Sequence, residues 1–152
     1  MATRSAIGVM HGDNCKMVYC HWDGYLEHNG EILSKHYDSP KANYLVALGN
    51  MSSLRPEIGV KHPFSMYDVT PNLEIDEYAD LYGNMTTFYG RDREEEDQEY
   101  KTFAKFSEAV EYYKDMGCEF MYIMRDNVWY VTSGDMTELV TLETALKEVE
   151  TV

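Results

Sequence analysis

The chain has few cationic side chains, few cysteines and no long apolar run, and each shortage excludes a class of protein. Its 152 residues carry 13 Lys and Arg against 27 Asp and Glu, which gives a formal net charge of −14. Binding to nucleic-acid phosphates or to an anionic membrane surface needs the opposite sign, so we expect neither direct nucleic-acid binding nor membrane binding. A membrane-spanning helix would need about 18 consecutive apolar residues, and the sequence has no such run.

Cysteine usage and the first residues indicate a cytoplasmic protein. Three cysteines are an odd number, and the N-terminal residues lack the apolar stretch of a secretory signal. We therefore expect free, mostly buried thiols rather than a disulfide framework. Because 44% of the residues are apolar, the chain can bury a core, and we expect a single domain over residues 1–152.

Alternating apolar residues and turn signals predict two β-hairpins. The first spans roughly 5–22 around Gly12-Asp13-Asn14, and the second spans roughly 119–132 around Asp126-Asn127, a two-residue loop suited to positive φ angles. A strand is also expected near 86–89. Helical periodicity and capping residues predict helices over about 30–37, 41–48, 103–116 and 139–149. The predicted fold is α+β, with an antiparallel sheet built from two hairpins and packed against three or four helices.

The negative charge is concentrated in the second half of the chain. Residues 1–71 hold seven acidic and six basic side chains, whereas residues 72–152 hold twenty and seven. Such a lopsided charge attracts a basic partner over long range, and tyrosine is enriched in interface cores. The sequence therefore predicts a protein-binding surface, with an exposed acidic loop near residue 95, made of Glu74, Asp76, Glu77, Tyr78, Asp80, Tyr82, Tyr89, Asp92, Glu94, Glu95, Glu96 and Asp97.

A second hypothesis is a small-ligand pocket at the end of the first hairpin. His21, Trp22, Asp23 and Tyr25 bring aromatic, imidazole and carboxylate groups together there. Trp22 and Tyr25 could stack on a base while Asp23 accepts a hydrogen bond from it, as in a module that sequesters a nucleotide. The alternative is structural: Trp22 fills the core and Asp23 makes the turn.

Catalytic signals are weak. Cys15 and Cys20 point to opposite faces of one strand, and no pair of histidines has metal-ligand spacing, so no metal site is predicted. The carboxylates of residues 74–80 could hold Mg²⁺, which leaves a metal-dependent nuclease or phosphoesterase as a third hypothesis. No nucleophile or phosphate-binding glycine loop accompanies them. We therefore predict no catalytic residues and no cofactor, and favour a binding protein over an enzyme.

Several motifs resemble one family of small acidic proteins, which tailed bacteriophages and prophages encode. They are Tyr19-Cys20-His21-Trp22-Asp23-Gly24-Tyr25 with Gly30-x-x-Leu33-x-x-His36-Tyr37, then Ala47-Leu48-Gly49-x-x-Ser52-Ser53-Leu54, Tyr89-Gly90-Arg91-Asp92-Arg93-Glu94, and Tyr122 with Trp129-Tyr130-Val131. Leu26 departs from the proline expected at that position, which concerns only the turn. The resemblance implies no established reaction or catalytic residue.

A phage origin would place the protein in the host cytoplasm. Small acidic phage proteins without enzyme motifs often act on a host protein, either by inhibiting defence machinery or by redirecting nucleic-acid processing. The leading hypothesis is therefore a non-enzymatic protein that inhibits or redirects a host defence or nucleic-acid-processing protein. Its acidic, tyrosine-rich surface would bind a basic surface of that host protein, such as a groove made for nucleic acid.

Overall fold

One mixed sheet contains strands from both halves of the chain. A computed structural model describes residues 2–64, 75–133 and 138–150. Its elements follow one another as β1 (Ser5–His11), β2 (Asn14–Cys20), a single π-helical turn (Leu26–Gly30), α1 (Glu31–His36), α2 (Ser39–Ala47), β3 (Met51–Ser53), α3 (Ile75–Tyr82), β4 (Thr87–Phe88), α4 (Tyr89–Arg93), β5 (Lys101–Phe103), α5 (Phe106–Asp115), β6 (Phe120–Arg125), β7 (Val128–Ser133), β8 (Val140–Thr141) and α6 (Leu142–Glu150).

Both predicted hairpins form. Strands β1 and β2 pair in antiparallel register from Ser5 opposite Cys20 to His11 opposite Asn14. Strands β6 and β7 pair across Asp126 and Asn127, whose φ angles of 52° and 64° are the positive values that the turn requires. The expected strand near residue 87 is β4, which pairs with β3.

The α+β prediction is confirmed, and the sheet is mostly antiparallel. The strand order is β4-β3-β2-β1-β6-β7-β8, with β5 pairing on β2. Two contacts differ from the expectation, because β1 pairs with β6 and β2 pairs with β3 in parallel. The described residues also contain six α-helices, where three or four were expected, because the short α3 and α4 form in the acidic region.

Helices cover both faces of the sheet. On one face, Leu33, Leu45 and Leu142 from α1, α2 and α6 belong to a core cluster that also contains Tyr122 of β6. On the other face, Tyr113 of α5 belongs to a second cluster with the remaining inward side chains of β1, β2 and β6. Alternate residues of a strand point to opposite faces, so a doubly covered strand is apolar at nearly every position. This accounts for the continuous apolar runs in the sequence.

The helix boundaries differ from the predicted ones for local reasons. Helix α2 begins at Ser39 because Asp38, rather than Ser39, is its N-cap: the Asp38 carboxylate accepts a hydrogen bond from Lys41 N at 3.0 Å. Helix α5 begins later than predicted because Phe103 lies in β5, opposite Cys15.

Candidate functional site

The acidic run after α4 has a fixed backbone. We call residues 94–99 the acidic loop. Glu94 and Asp97 adopt left-handed conformations, with φ of 55° and 59°. Glu95 N donates to Tyr89 O at 3.1 Å, and Gln98 O accepts from Asn50 N at 2.8 Å. The loop is therefore anchored at both ends, to α4 and to the residue that precedes β3.

Asp92 does not belong to any accessible surface, which corrects its place in the predicted binding set. Its side chain is 0% exposed. Its carboxylate accepts hydrogen bonds from Phe88 N (2.7 Å), His62 N (3.2 Å) and the Arg91 guanidinium (2.9 Å from Nε). A carboxylate with three such donors holds the chain together locally and has nothing to offer a partner.

Two further carboxylates of the predicted set are paired within the protein. Glu94 Oε1 lies 2.8 Å from Lys61 Nζ, and this hydrogen bond and the attraction of the ammonium lower the pKa of Glu94. Glu95 accepts from Arg93 Nε at 2.6 Å. Within the described part of the chain, the other three acids of the loop have no ion-pair partner: Glu96, Asp97 and Glu99. Within the acidic loop, the carboxylates that no described cation balances are thus those of residues 96, 97 and 99.

Helix α3 has an inner tyrosine side and an outer acidic side. Tyr78 donates its hydroxyl proton to Pro63 O at 2.9 Å, and Tyr82 stacks on the buried His62 with ring centroids 5.4 Å apart. Both tyrosines therefore attach the helix to the chain and are half-buried. The exposed side chains are Glu77, Asp80 and Leu81. The predicted Glu74 and the Asp76 side chain lie outside the described residues.

The third predicted tyrosine also has a structural role. Tyr89 is half-buried and packs 5.7 Å from the Phe64 ring, with the Arg93 guanidinium 5.5 Å from its own centroid. Burial raises the pKa of Tyr89. Tyr89 thus supports the base of the acidic loop.

The inner side of α3 and the acidic loop both contact residues 61–63. Tyr82 contacts His62, while Lys61, one residue before it, is bonded to Glu94. We call the exposed acids of α3 and the acidic loop, together with Leu81, the acidic face; the exposed Lys61 and Arg93 of the same region are paired with Glu94 and Glu95. Its members are Glu77, Asp80, Leu81, Glu94, Glu96, Asp97 and Glu99.

The residues of the alternative ligand pocket form an exposed patch. Trp22 and Tyr25 are 45% and 37% exposed, so Trp22 does not fill the core. His21 makes an edge contact with Trp22 and a 2.7 Å hydrogen bond between Nδ1 and Tyr19 Oη, and burial together with the charge of Arg4 lowers the pKa of His21. Asp23 has a left-handed φ of 57°. Of the four predicted residues, His21 and Trp22 contact each other, whereas Asp23 and Tyr25 each lie against His28.

The sequence interpretation missed a groove at the far end of the sheet. It comprises two adjoining cavities of about 550 and 340 Å³, which share Ser39, Met124 and Asn127. His36 lines the larger cavity and His11 the smaller one. His11 and Met124 are far apart in the sequence and meet because the parallel strands β1 and β6 end at the same edge of the sheet, where residues 34–40 also lie. No local pattern could have indicated them.

Metal and membrane features are absent from the described ranges. Residues 2–64, 75–133 and 138–150 contain no group of three or more His, Cys, Asp or Glu that could hold a metal ion. None of the helices in these ranges has the length and apolar character that crossing a membrane requires.

Comparison with known proteins identifies no relative. No protein family, curated protein or solved structure matches this chain.

Proposed function

We propose that this protein works in the host cytoplasm as a phage-encoded inhibitor, which binds a basic surface of a host defence or nucleic-acid-processing protein through its acidic face. One observation carries the proposal. Glu96, Asp97 and Glu99 are exposed on an anchored loop and have no cationic partner within the described part of the chain. Charges left unpaired on a fixed backbone are available to a partner.

The anchoring of the loop supports binding for an energetic reason. Ordering a flexible loop on binding costs conformational entropy, about 1–2 kcal/mol per residue for the backbone alone. The bonds from Asn50 N to Gln98 O and from Glu95 N to Tyr89 O hold the acidic loop before any partner arrives. A fixed set of carboxylates can therefore match a fixed set of basic side chains without that cost.

An apolar side chain among the acids also favours a protein partner. Leu81 is 55% exposed on α3, and Glu77 precedes it by one helical turn on the same side. Protein interfaces commonly surround a desolvated apolar anchor with a polar rim. Leu81 within the acidic face fits this arrangement.

The charge hypothesis is tested by two matched double variants. Glu96→Gln with Asp97→Asn removes two charges from the acidic face, and Asp13→Asn with Asp126→Asn removes two charges from the hairpin turns. Asp97 and Asp126 both have left-handed φ angles, which asparagine tolerates, so the backbone demands are alike. Strand β2 separates the Asp13 turn from the region of the acidic loop by roughly 20 Å, at about 3.3 Å per residue.

The assay is affinity capture from a bacterial lysate with the wild-type protein and both variants, followed by titration of the captured partner at several salt concentrations. We expect the acidic-face variant to bind roughly 2- to 30-fold more weakly, from about 0.2–1 kcal/mol per exposed charge pair, and to depend less on salt. The turn variant should bind like the wild type. Equal weakening of both variants would mean that only net charge matters, and unchanged affinity of the acidic-face variant would remove the proposal.

A second candidate, a small-ligand module, is favoured by the size of the groove. Ligand sites commonly occupy about 300–1,000 Å³, and the larger of the two adjoining cavities measures about 550 Å³. Thermal-shift measurements with nucleotides test this function, because a ligand present at 100 times its dissociation constant stabilises a protein by about 2.7 kcal/mol. A shift abolished by His36→Ala would place the ligand in the groove, one abolished by Trp22→Ala would place it on the exposed patch, and no shift would reject this function.

A further inference from the structure

A small pocket lies where the C-terminal end of α2 meets the acidic loop. Its volume is about 260 Å³, and it is lined by Ala47, Leu48, Gly90, Arg91, Glu95, Gln98 and Glu99. This volume falls below the range of about 300–1,000 Å³ that small-molecule sites occupy. The pocket is large enough to receive a single long side chain.

The lining of the pocket combines apolar and acidic residues. Ala47 is the last residue of α2 and Leu48 is its C-cap, and the C-terminus of a helix carries a partial negative charge. The lining also includes Glu95 and Glu99. Glu95 already forms an ion pair with Arg93, whereas Glu99 has no ion-pair partner within the described residues. This combination suits a long side chain with an apolar stem and a cationic end.

Arg91 is the cationic residue of the lining, and it does not repel a second cation that enters the pocket. Arg91 Nε donates to the Asp92 carboxylate at 2.9 Å, and Nη1 and Nη2 donate to Ile58 O and Thr86 O at 2.9 and 2.8 Å. Its charge is balanced by Asp92 and its protons are directed away to backbone oxygens. Glu99 and the end of α2 therefore set the sign of the pocket.

We propose that this pocket receives an arginine side chain of the partner, an inference that rests on the proposed binding function and names the group that is recognised. The aliphatic stem lies against Leu48, and the guanidinium faces Glu99 and the end of α2. Arginine fits better than lysine because its planar guanidinium can donate two parallel hydrogen bonds to one carboxylate and is more weakly hydrated than an ammonium.

Two glycines provide the means to test the pocket. At Gly49 the φ is +93°, and an added Cβ would collide with the Gln98 carbonyl oxygen, so substitution there would displace the wall. At Gly90 an added Cβ would meet Gln98 Cβ and Glu95 O at 3.8 Å, which is ordinary contact. Gly90 lies in α4, where alanine and leucine are favourable helix residues. Gly90→Leu therefore fills the pocket without changing any charge.

The experiment uses the blocked amino acid N-acetyl-arginine N-methylamide as the probe, with the citrulline analogue as an uncharged control of the same shape and the lysine analogue as a second cation. Backbone amide shifts of the ¹⁵N-labelled protein are recorded during titration. We expect saturable shifts at Leu48, Gly49, Gln98 and Glu99 with the arginine probe only, and a dissociation constant on the order of millimolar.

Variants decide whether those shifts arise in the pocket. Gly90→Leu and Glu99→Gln should each weaken probe binding at least fivefold, whereas Glu111→Gln on the exposed surface of α5 should not. Gly90→Ala should retain the wild-type spectrum, which shows that α4 tolerates a side chain there. Absence of saturable shifts, equal binding of the lysine analogue, or full binding by Gly90→Leu would overturn the proposal.

The same variants distinguish failure of this inference from failure of the proposed function. A partner that loses affinity for the Glu96→Gln, Asp97→Asn variant but binds Gly90→Leu normally would leave the acidic face intact and reject the arginine pocket. A pocket that binds the probe while no partner depends on Glu96 and Asp97 would reject the proposed face instead.

Discussion

Replacing Asp92 with alanine should be among the most destabilising single changes in the acidic region. The substitution leaves Phe88 N, His62 N and the Arg91 guanidinium without their shared acceptor, in a place where the carboxylate is 0% exposed. Each unsatisfied buried donor costs about 1–3 kcal/mol, and breaking a buried ion pair by removing one partner costs about 3–5 kcal/mol. These contributions overlap, so we expect a loss of about 3–5 kcal/mol, a large part of the 5–15 kcal/mol typical of a domain.

Urea denaturation followed by circular dichroism measures this loss. With a denaturant dependence of about 2 kcal/mol per molar urea, the midpoint should fall by roughly 1.5–2.5 M. Glu31→Gln is the control, because it removes a surface pair with Lys35 (2.7 Å) and should cost at most about 0.5 kcal/mol. If the free energies of unfolding of the two variants differed by less than about 1 kcal/mol, the buried carboxylate would not stabilise this region. The inference that it helps to fix the acidic loop would then be wrong.

Three further measurements test the core. Gly8→Ala should destabilise the protein by about 2 kcal/mol or more, because its Cβ would collide with the Met17 sulfur and lie 2.6 Å from Lys16 O. Gly12→Ala places its Cβ in open space and should cost about 1–2 kcal/mol from the positive φ alone. Denaturation midpoints compare the two variants. Burial raises the pKa of Cys20 to about 11 and that of Cys118 to about 12, so a disulfide reagent at pH 8 should modify these thiols only after unfolding, and rapid reaction of the native protein would contradict their burial. Burial also raises the pKa of Tyr37 to about 12, whereas an unfolded tyrosine has a pKa near 10. Between these values the folded state keeps the proton that the unfolded state releases, so the free energy of unfolding should fall as the pH rises from about 10 towards 12. The fall should be smaller in Tyr37→Phe.

Local patterns predicted the hairpins because each is encoded by neighbouring residues. Asp126 and Asn127 tolerate positive φ, and the apolar strands on either side of them pair directly. The joining of the hairpins through β1 and β6 has no such signal, because parallel pairing depends on how distant segments meet. The same limit explains why the groove between these strand ends was missed.

The sequence showed how many acidic residues this region contains but not which of them are exposed and unpaired. The sequence showed ten acids between residues 73 and 99, yet Asp92 is buried against Arg91, and Glu94 is paired with a lysine 33 residues earlier. Tyr78 and Tyr82 suggested an interface and instead attach α3 to residues 62 and 63. An acidic residue or a tyrosine looks the same in the sequence whether it faces a partner or bonds within the protein. The fold determines which of these two roles it has.

The parallel pairing of β1 with β6 also determines when the protein can fold during synthesis. Arg4 donates to Met116 O across 112 residues of chain, and β1 meets β6 immediately beyond that contact. Until the ribosome has released β6, the first hairpin has one long edge without its neighbour, and its backbone groups on that side are free to pair with other chains. Slowing translation before β6 has left the ribosome should therefore lower the yield of native protein more than slowing it afterwards.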